Sequence, residues 1–375
     1  MPMASILEKQ LKDGSRAYLV RFRTPDGDAR SKQFKRKRDA VAYASVVEVD
    51  RMTGALIDPH LGRITVGEWW DEWWPTVTNL RPSTRARDAQ YFRTHVRPQF
   101  GNTPIGKLDR TTIRRWLSQL GSPSGSDLAP ATIHKVVQVF NKTMNAALED
   151  RLIASNPVAK IPLPKVDHQE MRFLTSDEVW RLADAIHPRY RAFVLLAGFG
   201  GLRLGELLGL RWDCVDLAGR RIQVSETLVD VEAQIHFGPP KTKASVRSVP
   251  VPSFVCDALE SMRPADATGR DLVFRSPDGH PVRPALFRRR FWDPAVAKAG
   301  LTPLRIHDLR HTAISLWIAE GAHPKQVAIL AGHSSVSVVL DRYGHLYPAQ
   351  NDDLLTRLER NHQVPNRRSH GHGHE

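Results

Sequence analysis

A proline-rich segment at residues 156–164 constrains the fold of this chain more than any other sequence feature. It holds three prolines, and proline cannot continue a helix because it lacks a backbone N–H and its ring clashes with the preceding turn. The chain has 375 residues, which is too long for one ordinary core. We therefore expect two or three domains, with this segment as a linker whose Lys160 and the following Lys165 are available to a nucleic-acid backbone.

The region before this segment has the pattern of a helical domain. Thr65 and Glu68 have the spacing of a capping box, in which each side chain caps the other residue's backbone N–H at a helix start. Helix-breaking sequences at 98–101 and 121–126 separate the later helical stretches. A compact four-helix domain over 65–155 is the simplest interpretation, with further helices at 83–96, 109–120 and 130–149.

Tryptophans at positions 69, 70, 73 and 74 lie at helical spacing in the first of these helices. Such a stripe could stack on nucleic-acid bases. Aromatic side chains at helical spacing more often pack in a core, so we favour packing over stacking.

Residues 1–58 predict a small module of three strands and one helix. Alternation over 16–23 places apolar and arginine side chains on opposite faces of a strand, and a helical pattern follows at 39–52. Six bases and no acids occur between Arg30 and Arg38. This run is either a solvated face or a phosphate contact, and the sequence favours neither.

Beyond the linker the sequence predicts a mixed α/β domain, so the fold class is multidomain and mainly α with small β-sheets. A second capping box, at Thr175 and Glu178, restarts the helical structure. After it the sequence predicts a strongly apolar region of helical pattern over 190–211, strands at 220–226 and 245–251, and helices from 253 to a disordered tail at 361–375.

Composition indicates a nucleic-acid partner. The formal charge of +14 and the pI near 10.1 favour binding to polyanions through counterion release, and a merely cationic protein is the weaker alternative. Cys214 and Cys256 lack metal-type spacing, so a reducing cytoplasm fits better than a zinc finger or a disulfide framework. Because the chain has no run of about 18 apolar residues and no signal-like N-terminus, we expect neither a membrane span nor secretion.

Basic side chains in the C-terminal half are suited to phosphodiester chemistry. Arg203 and Arg310 can bind phosphate oxygens bidentately and stabilise the charge of a pentavalent transition state in place of a metal. His307 and His333 can donate hydrogen bonds to the phosphate or help to move a proton. Each residue alone could be an ordinary surface or core residue, and His307 with His311 could bind a metal. Their occurrence together, in this order, favours catalysis.

A nucleophile and an acid complete this set. Tyr343 lies in an Asp-Arg-Tyr-Gly-His stretch, and its phenol, with an ordinary pKa of about 10, needs an activation that the arginines and a histidine would supply. Lys241 and Lys243 lie between the two arginines in the sequence. A lysine whose pKa is lowered by neighbouring cations can protonate a leaving 5′-oxygen, and either lysine could serve.

The chain resembles the tyrosine recombinase family, specifically the phage integrases, in the ordered set Arg203, Lys241, His307-x-x-Arg310, His333 and Tyr343. The flanks are similar too: Gly201-Leu-Arg-Leu-Gly-Glu206, Pro-Lys-Thr-Lys, His-Asp-Leu-Arg-His-Thr, Leu-Ala-Gly-His-Ser-Ser and Asp-Arg-Tyr-Gly-His-Leu. The resemblance covers about 173–348 and extends more weakly over 65–155. The N-terminal module resembles the arm-type DNA-binding domain of phage integrases, including those of actinobacterial phages.

The resemblance implies a role for each matching position, with no cofactor, metal or ATP required. Glu206 would orient its neighbours rather than react. The other roles would be phosphate binding by Arg203, His307 and Arg310, general acid catalysis by Lys241, assistance by His333, and formation of a 3′-phosphotyrosine by Tyr343. The implied domains are arm-type DNA binding at 1–58, core binding at 65–155 and catalysis at 173–360.

The implied function is site-specific recombination that integrates and excises a phage genome at attachment sites. The expected partners are double-stranded DNA with core-type and arm-type sites, further copies of the chain in a homotetramer, a host DNA-bending factor and an excisionase. The rival interpretations are a non-catalytic DNA-binding regulator, a cellular or transposon recombinase, and a type IB topoisomerase. The arm-like module argues against the last, because an enzyme that only relaxes DNA does not need it.

Overall fold

The computed structural model describes residues 4–11, 14–23, 29–52, 61–167, 171–240, 242–347, 355–356 and 358–360. The chain divides into two units, Met1–His168 and Gln169–Glu375. Lys241 and the tail predicted at 361–375 lie outside the described residues. No helix in the described part of the chain is long and apolar enough to cross a membrane.

The N-terminal module is a three-stranded antiparallel sheet packed against one helix, which confirms the predicted elements. They are β1 (Ser5–Gln10), β2 (Arg16–Arg23), β3 (Ala29–Phe34) and α1 (Lys37–Met52). The central strand is β2, with Val20 opposite Ile6 on one side and Lys32 on the other. Alternation along β2 buries Val20 and Phe22 with Ala44 of α1, so the sheet is held by one apolar face.

The rest of the first unit is helical, and the capping box predicted at its start is confirmed. The helices are α2 (Val66–Trp73), α3 (Pro82–Tyr91), α4 (Arg97–Phe100), α5 (Arg110–Leu120) and α6 (Pro130–Glu149). The Thr65 hydroxyl accepts from the Glu68 backbone N–H at 3.2 Å, and Glu68 Oε2 accepts from the Thr65 backbone N–H at 2.9 Å. A π-helical stretch, Phe92–Val96, joins α3 to α4.

The tryptophan stripe of α2 packs in the core of this helical region, as favoured from its spacing. Trp70 is 6% exposed and stacks on Phe92 with ring centroids 3.8 Å apart and on Trp74 at 4.4 Å. The indole N–H of Trp69 donates to the Thr143 carbonyl oxygen at 3.0 Å, which satisfies the polar atom of a buried side chain.

The proline-rich segment after α6 is not helical, but it is packed rather than free. Val158 and Ile161 are buried in the same core as the tryptophans. The Asn156 amide donates to Asn145 Oδ1 at 2.6 Å and to Asn141 Oδ1 at 2.9 Å. These contacts place residues 156–161 in the first unit.

The second unit is a mainly helical domain with two small antiparallel sheets, and both strands predicted there are present. Its helices are α7 (Ser176–Ala185), α8 (Arg191–Gly200), α9 (Leu204–Leu208), α10 (Ser253–Met262), α11 (Pro284–Phe287), α12 (Asp293–Lys298), α13 (Ile306–Ala319), α14 (Pro324–Ala331) and α15 (Ser337–Tyr343). Its strands are β4 (Val215–Asp216), β5 (Arg221–Val224), β6 (Thr227–Val231), β7 (Gln234–Gly238) and β8 (Arg247–Pro250). One sheet has the order β4–β5–β8, and β6 and β7 form a hairpin. The capping box at Thr175 and Glu178 is confirmed at the start of α7.

The helical pattern over 190–211 corresponds to two helices, α8 and α9, because the chain breaks at Gly201. This residue ends α8 in the left-handed region with φ 63°, and a Cβ there would lie 2.7 Å from the Trp317 ring. Glycine meets both demands because it has no side chain. The break turns Arg203 into the N-cap residue of α9, with its backbone extended.

Candidate active site

Two of the predicted residues lie on α13. His307 occupies its first turn, and Arg310 follows three residues later. Arg310 is 3% exposed; its Nη1 donates to the Gly201 carbonyl oxygen at 2.7 Å and its Nη2 donates to the Ala331 carbonyl oxygen. Arg310 therefore connects α13 to the break after α8 and to the end of α14.

Arg203 lies beside Arg310 and contacts the same chain segments. Its Nη1 donates to Glu206 Oε1 at 2.7 Å, and its Nη2 donates to the Gly332 carbonyl oxygen at 2.9 Å. Glu206 also accepts from the Arg203 backbone N–H at 2.9 Å, which caps α9. The Arg203 side chain is 36% exposed while that of Glu206 is 3% exposed, so Arg203 is open to a ligand and Glu206 is not.

A third arginine, Arg247 of β8, completes a buried network that sequence reasoning missed. Its Nη2 donates to Glu206 Oε2 at 2.9 Å and its Nη1 donates to Glu206 Oε1 at 3.2 Å. Its Nε donates to the Leu330 carbonyl oxygen at 2.6 Å. Arg247 thus ties the strand that follows Lys241 and Lys243 to both α9 and α14. Arg247 lies two residues before the buried Val249 on β8, and this spacing was the one sign in the sequence that Arg247 is buried. An arginine at such a position is, however, equally compatible with a surface residue.

Arg203, Arg247 and Arg310 supply three guanidinium groups around the single carboxylate of Glu206, a surplus of positive charge. Burial by itself raises the pKa of Glu206, but the hydrogen bonds and charge of Arg247, with those of Arg203, outweigh it and hold the pKa below its ordinary value. Burial and the charge of Arg203 lower the pKa of Arg310 to about 9, so it remains a cation at neutral pH. Such a site favours an anion that can accept several N–H bonds, as a phosphate does.

His333 follows the C-terminal glycine of α14, next to the same arginines. Gly332 has φ 63°, and a Cβ on it would lie 3.0 Å from Arg247 Nη1, so the turn needs glycine. Burial, followed by the charges of Arg310 and Arg203, lowers the pKa of His333 to about 4. Its Nδ1 is buried without a hydrogen-bond partner among the described residues. His333 is therefore neutral at pH 7, with an unsatisfied nitrogen beside the cations.

Tyr343 is the last residue of α15 and is buried, with 1% exposure. Its hydroxyl lies 2.5 Å from His311 Nδ1, the partner that the structure gives it within the described residues. Burial raises the pKa of Tyr343, and the charges of Arg310 and Arg342 offset this only in part. The arginines therefore act in the predicted direction but do not outweigh burial, and activation of this phenol by the arginines and a histidine stays a prediction.

His307 and His311 lie one turn apart on α13, with ring centroids 4.8 Å apart. Although the His307 side chain is exposed, nearby protein atoms remove part of its hydration, and this, followed by the charge of Arg310, lowers its pKa. Sequence reasoning named His311 only as a possible metal ligand. The described residues contain no group of three or more potential metal ligands, and His311 instead contacts Tyr343.

The general-acid role assigned to Lys241 or Lys243 stays a prediction. Lys241 lies outside the described residues, and Lys243 begins a short 3-10 helix, Lys243–Ser245, directly before β8. The structure brings the other predicted positions together from α9, α13, the end of α14 and α15. Between Arg203 and Tyr343 lie 139 residues of sequence, so only the folded structure could bring these positions into one site.

Models of known protein families match the region that holds this site. Residues 172–350 match the model of the phage integrase family, and residues 65–121 match that of the phage integrase N-terminal SAM-like domain. A putative prophage phiRv2 integrase of Mycobacterium tuberculosis is 29% identical over 361 residues, which is 91% of this chain and 92% of that protein. The integrase of Mycobacterium phage D29 is 27% identical, covering 79% of this chain and 78% of that protein.

Two solved structures share the fold. The Tn1549 transposon integrase in complex with a circular intermediate DNA matches with a TM-score of 0.66 at 20% identity, over 79% of this chain and 99% of that one. A lambda integrase tetramer bound to a Holliday junction matches with a TM-score of 0.57 at 16% identity, over 92% of this chain and 95% of that one. At these identities the likeness concerns the fold alone.

Proposed function

Because the chain belongs to the phage integrase family of tyrosine recombinases, which are site-specific DNA recombinases, we propose that it cuts and rejoins DNA through Tyr343. One observation carries this assignment. A tyrosine hydroxyl lies in the same site as Arg203 and Arg310, where positive charge is in surplus. That combination fits attack on a phosphodiester.

The residues divide the work of one transesterification. Arg203 and Arg310 hold the non-bridging oxygens and stabilise the charge of the transition state, and His307 and His333 add hydrogen bonds to the same phosphate. Tyr343 attacks phosphorus and forms a 3′-phosphotyrosine as the bond to the 5′-oxygen breaks. The phosphotyrosine retains the energy of the DNA bond, so a 5′-hydroxyl of the partner strand reverses the step without ATP or metal.

A general acid must protonate the leaving 5′-oxygen. We assign this role to Lys241, with Lys243 as the alternative, because both shortly precede β8 in the sequence and Arg247 of β8 is bound to Glu206. Glu206 and Arg247 bind no DNA in this assignment. They hold Arg203 in place.

The other regions bind DNA away from the scissile phosphate. Residues 1–58 contact arm-type sites through their basic β3 edge, residues 65–155 contact core-type sites, and residues 173–360 carry catalysis. By analogy with the lambda integrase tetramer on a Holliday junction, four copies assemble on paired attachment sites. The reaction belongs in the bacterial cytoplasm on the host chromosome, with a host DNA-bending factor and an excisionase setting its direction.

The test begins with the DNA site. The full chain is incubated with a library of randomised duplexes, and the duplexes that become covalently attached are sequenced. The selected duplex is then nicked beside the cleavage position, so that a short strand diffuses away and the covalent intermediate accumulates. We expect adduct from the wild-type chain and none from Tyr343→Phe.

Tyr347→Phe is the matched control, because Tyr347 is a nearby tyrosine whose buried hydroxyl has no hydrogen-bond partner among the described residues. It should form adduct at the wild-type rate. Adduct from Tyr343→Phe would overturn the choice of nucleophile. No covalent attachment of any duplex in the library would instead indicate a DNA-binding regulator without strand transfer.

A sulfur at the 5′-bridging position distinguishes the two lysines, because a thiolate leaves without a proton. We expect Lys241→Ala to be slow on the ordinary duplex and restored on the sulfur-containing one, with Lys243→Ala unaffected on both. The reverse pattern would assign the acid to Lys243.

A further inference from the structure

The side chain of His311 has no role in the mechanism above, yet it touches the reacting atom. It follows Arg310 directly on α13 and is 5% exposed. Its Nδ1 lies 2.5 Å from the Tyr343 hydroxyl oxygen, within hydrogen-bonding distance of an O–H donor. No other described side chain, His307 included, makes a hydrogen bond to this hydroxyl. A short contact between a base and a nucleophile is the arrangement that activation requires.

Tyr343 needs a proton acceptor more than an exposed tyrosine would. Its burial raises the pKa of the phenol, and the charges of Arg310 and Arg342 offset that only in part. At neutral pH the phenol therefore carries its proton, and a neutral phenol attacks phosphorus poorly. The proton must leave as the oxygen–phosphorus bond forms.

His311 is in the protonation state that can accept this proton. Burial is the largest cause that lowers the pKa of His311 to about 4; the charges of His307, Arg342 and Arg305 act in the same direction, and Asp308 opposes them. The imidazole is therefore neutral at pH 7. With its hydrogen on Nε2, its Nδ1 accepts a hydrogen bond from the Tyr343 hydroxyl.

We propose that His311 is the general base that takes the proton of Tyr343 during strand cleavage, an inference that rests on Tyr343 being the nucleophile. As the phenol oxygen bonds to phosphorus, its O–H bond breaks and the proton moves to Nδ1, leaving an imidazolium. The bond from phosphorus to the 5′-oxygen breaks, and the lysine protonates that oxygen. In rejoining, the imidazolium returns the proton to the departing phenolate.

The difference between the two pKa values does not prevent this transfer, because the two events are concerted. The phenol becomes more acidic as its oxygen bonds to phosphorus, and the negative phosphate stabilises the imidazolium beside it. The hydrogen bond already present removes the need for His311 to move before the reaction. His311 is thus a catalytic residue, while Glu206 and Arg247 are positioning residues.

The experiment uses the full chain and the nicked duplex obtained above, with single-turnover cleavage as the readout. His311→Asn is the variant of choice because its side-chain amide can occupy the position of Nδ1 and hydrogen-bond the phenol, but it has no basic nitrogen. We expect cleavage to slow about 10²–10⁴-fold, the usual contribution of a general base, with binding of the nicked duplex unchanged. If His311→Asn does not fold, His311→Gln is measured in the same way.

Two further measurements distinguish a general-base role of His311 from a role in supporting the fold. Incorporation of 3-fluorotyrosine at position 343 makes the phenol more acidic, so it should restore part of the cleavage rate of His311→Asn. The 5′-bridging sulfur should not restore it, because the defect lies with the nucleophile and not with the leaving group. A residue that only supports the fold would respond to neither change in this selective way.

Three results would overturn the inference. They are cleavage by His311→Asn at the wild-type rate, faster cleavage, which would make His311 a latch that restrains Tyr343, and full rescue by the bridging sulfur. Failure of the proposed function itself gives a different result, namely adduct in Tyr343→Phe or no adduct from the wild-type chain.

Discussion

Replacing Arg247 with methionine should destabilise the second unit by about 3 kcal/mol at neutral pH. Arg247 and Glu206 are each 3% exposed at their side chains, and two hydrogen bonds join them. Methionine fills similar space but leaves the buried Glu206 carboxylate with hydrogen bonds from Arg203 alone among the arginines. Removing one partner of a buried ion pair is costly because the other charge stays away from water.

The magnitude follows from what remains after the substitution. Loss of one partner of a buried pair costs about 3–5 kcal/mol. Arg203 Nη1 still contacts Glu206 Oε1 at 2.7 Å, so part of the charge stays compensated and the lower end of that range applies. The Leu330 carbonyl oxygen also loses its hydrogen bond from Arg247 Nε. This second loss adds to the destabilisation, so the total should not fall below the lower end of the range.

The loss should depend on pH in a defined direction. In the wild-type chain the pKa of Glu206 lies below its ordinary value of 4.5, so its stabilising contribution is present above 4.5 and is lost as pH falls through the lowered pKa. In Arg247→Met, burial loses its strongest opposing contribution, and we expect the folded pKa of Glu206 to rise. The destabilisation should then be greatest at neutral pH and should shrink as the carboxylate is protonated at lower pH.

The free energy of unfolding is measured by urea denaturation of the full chain, and hydrogen exchange of separate peptides monitors each unit. Peptides from 172–240 and 242–347 report the second unit, and those from 65–161 serve as the internal reference, since one global transition cannot be assumed for two units. Arg288→Met is the matched control because Arg288 and Asp293 form an exposed pair at 3.7 Å, which should contribute under about 1 kcal/mol. A loss below about 1 kcal/mol in Arg247→Met, or a loss that grows as pH falls, would refute the reasoning.

Gly332→Ala should cost about 1–3 kcal/mol and lower the thermal midpoint of the second unit, since alanine must adopt a φ of 63° against Arg247. Gly238→Ala, with open space around its Cβ, should cost less, and equal losses would show that the turn is not strained. Trp70→Ala should destabilise the first unit in urea by about 3–5 kcal/mol, because its ring stacks on Phe92 and Trp74. Unchanged stability together with weaker DNA binding would instead support a base-stacking role.

Sequence periodicity predicted most helices and strands because the signals involved are local. The capping boxes at Thr65 and Thr175 depend on residues three positions apart, and the structure contains both. The break at Gly201 was not predicted, since the apolar pattern continues across it. The ring of Trp317, more than a hundred residues later in the chain, lies against Gly201 and leaves no room for a Cβ there.

The sequence by itself determined which groups this protein has for phosphodiester chemistry and in what order, because motif residues and their spacing are properties of the chain. Only the tertiary structure decided the state of those groups. Burial keeps Tyr343 protonated and keeps His311 neutral at 2.5 Å from it, while Arg247 and Arg203 hold the buried Glu206 as a carboxylate. Solvation and charge at a site depend on residues brought from distant positions, so no local pattern contains them.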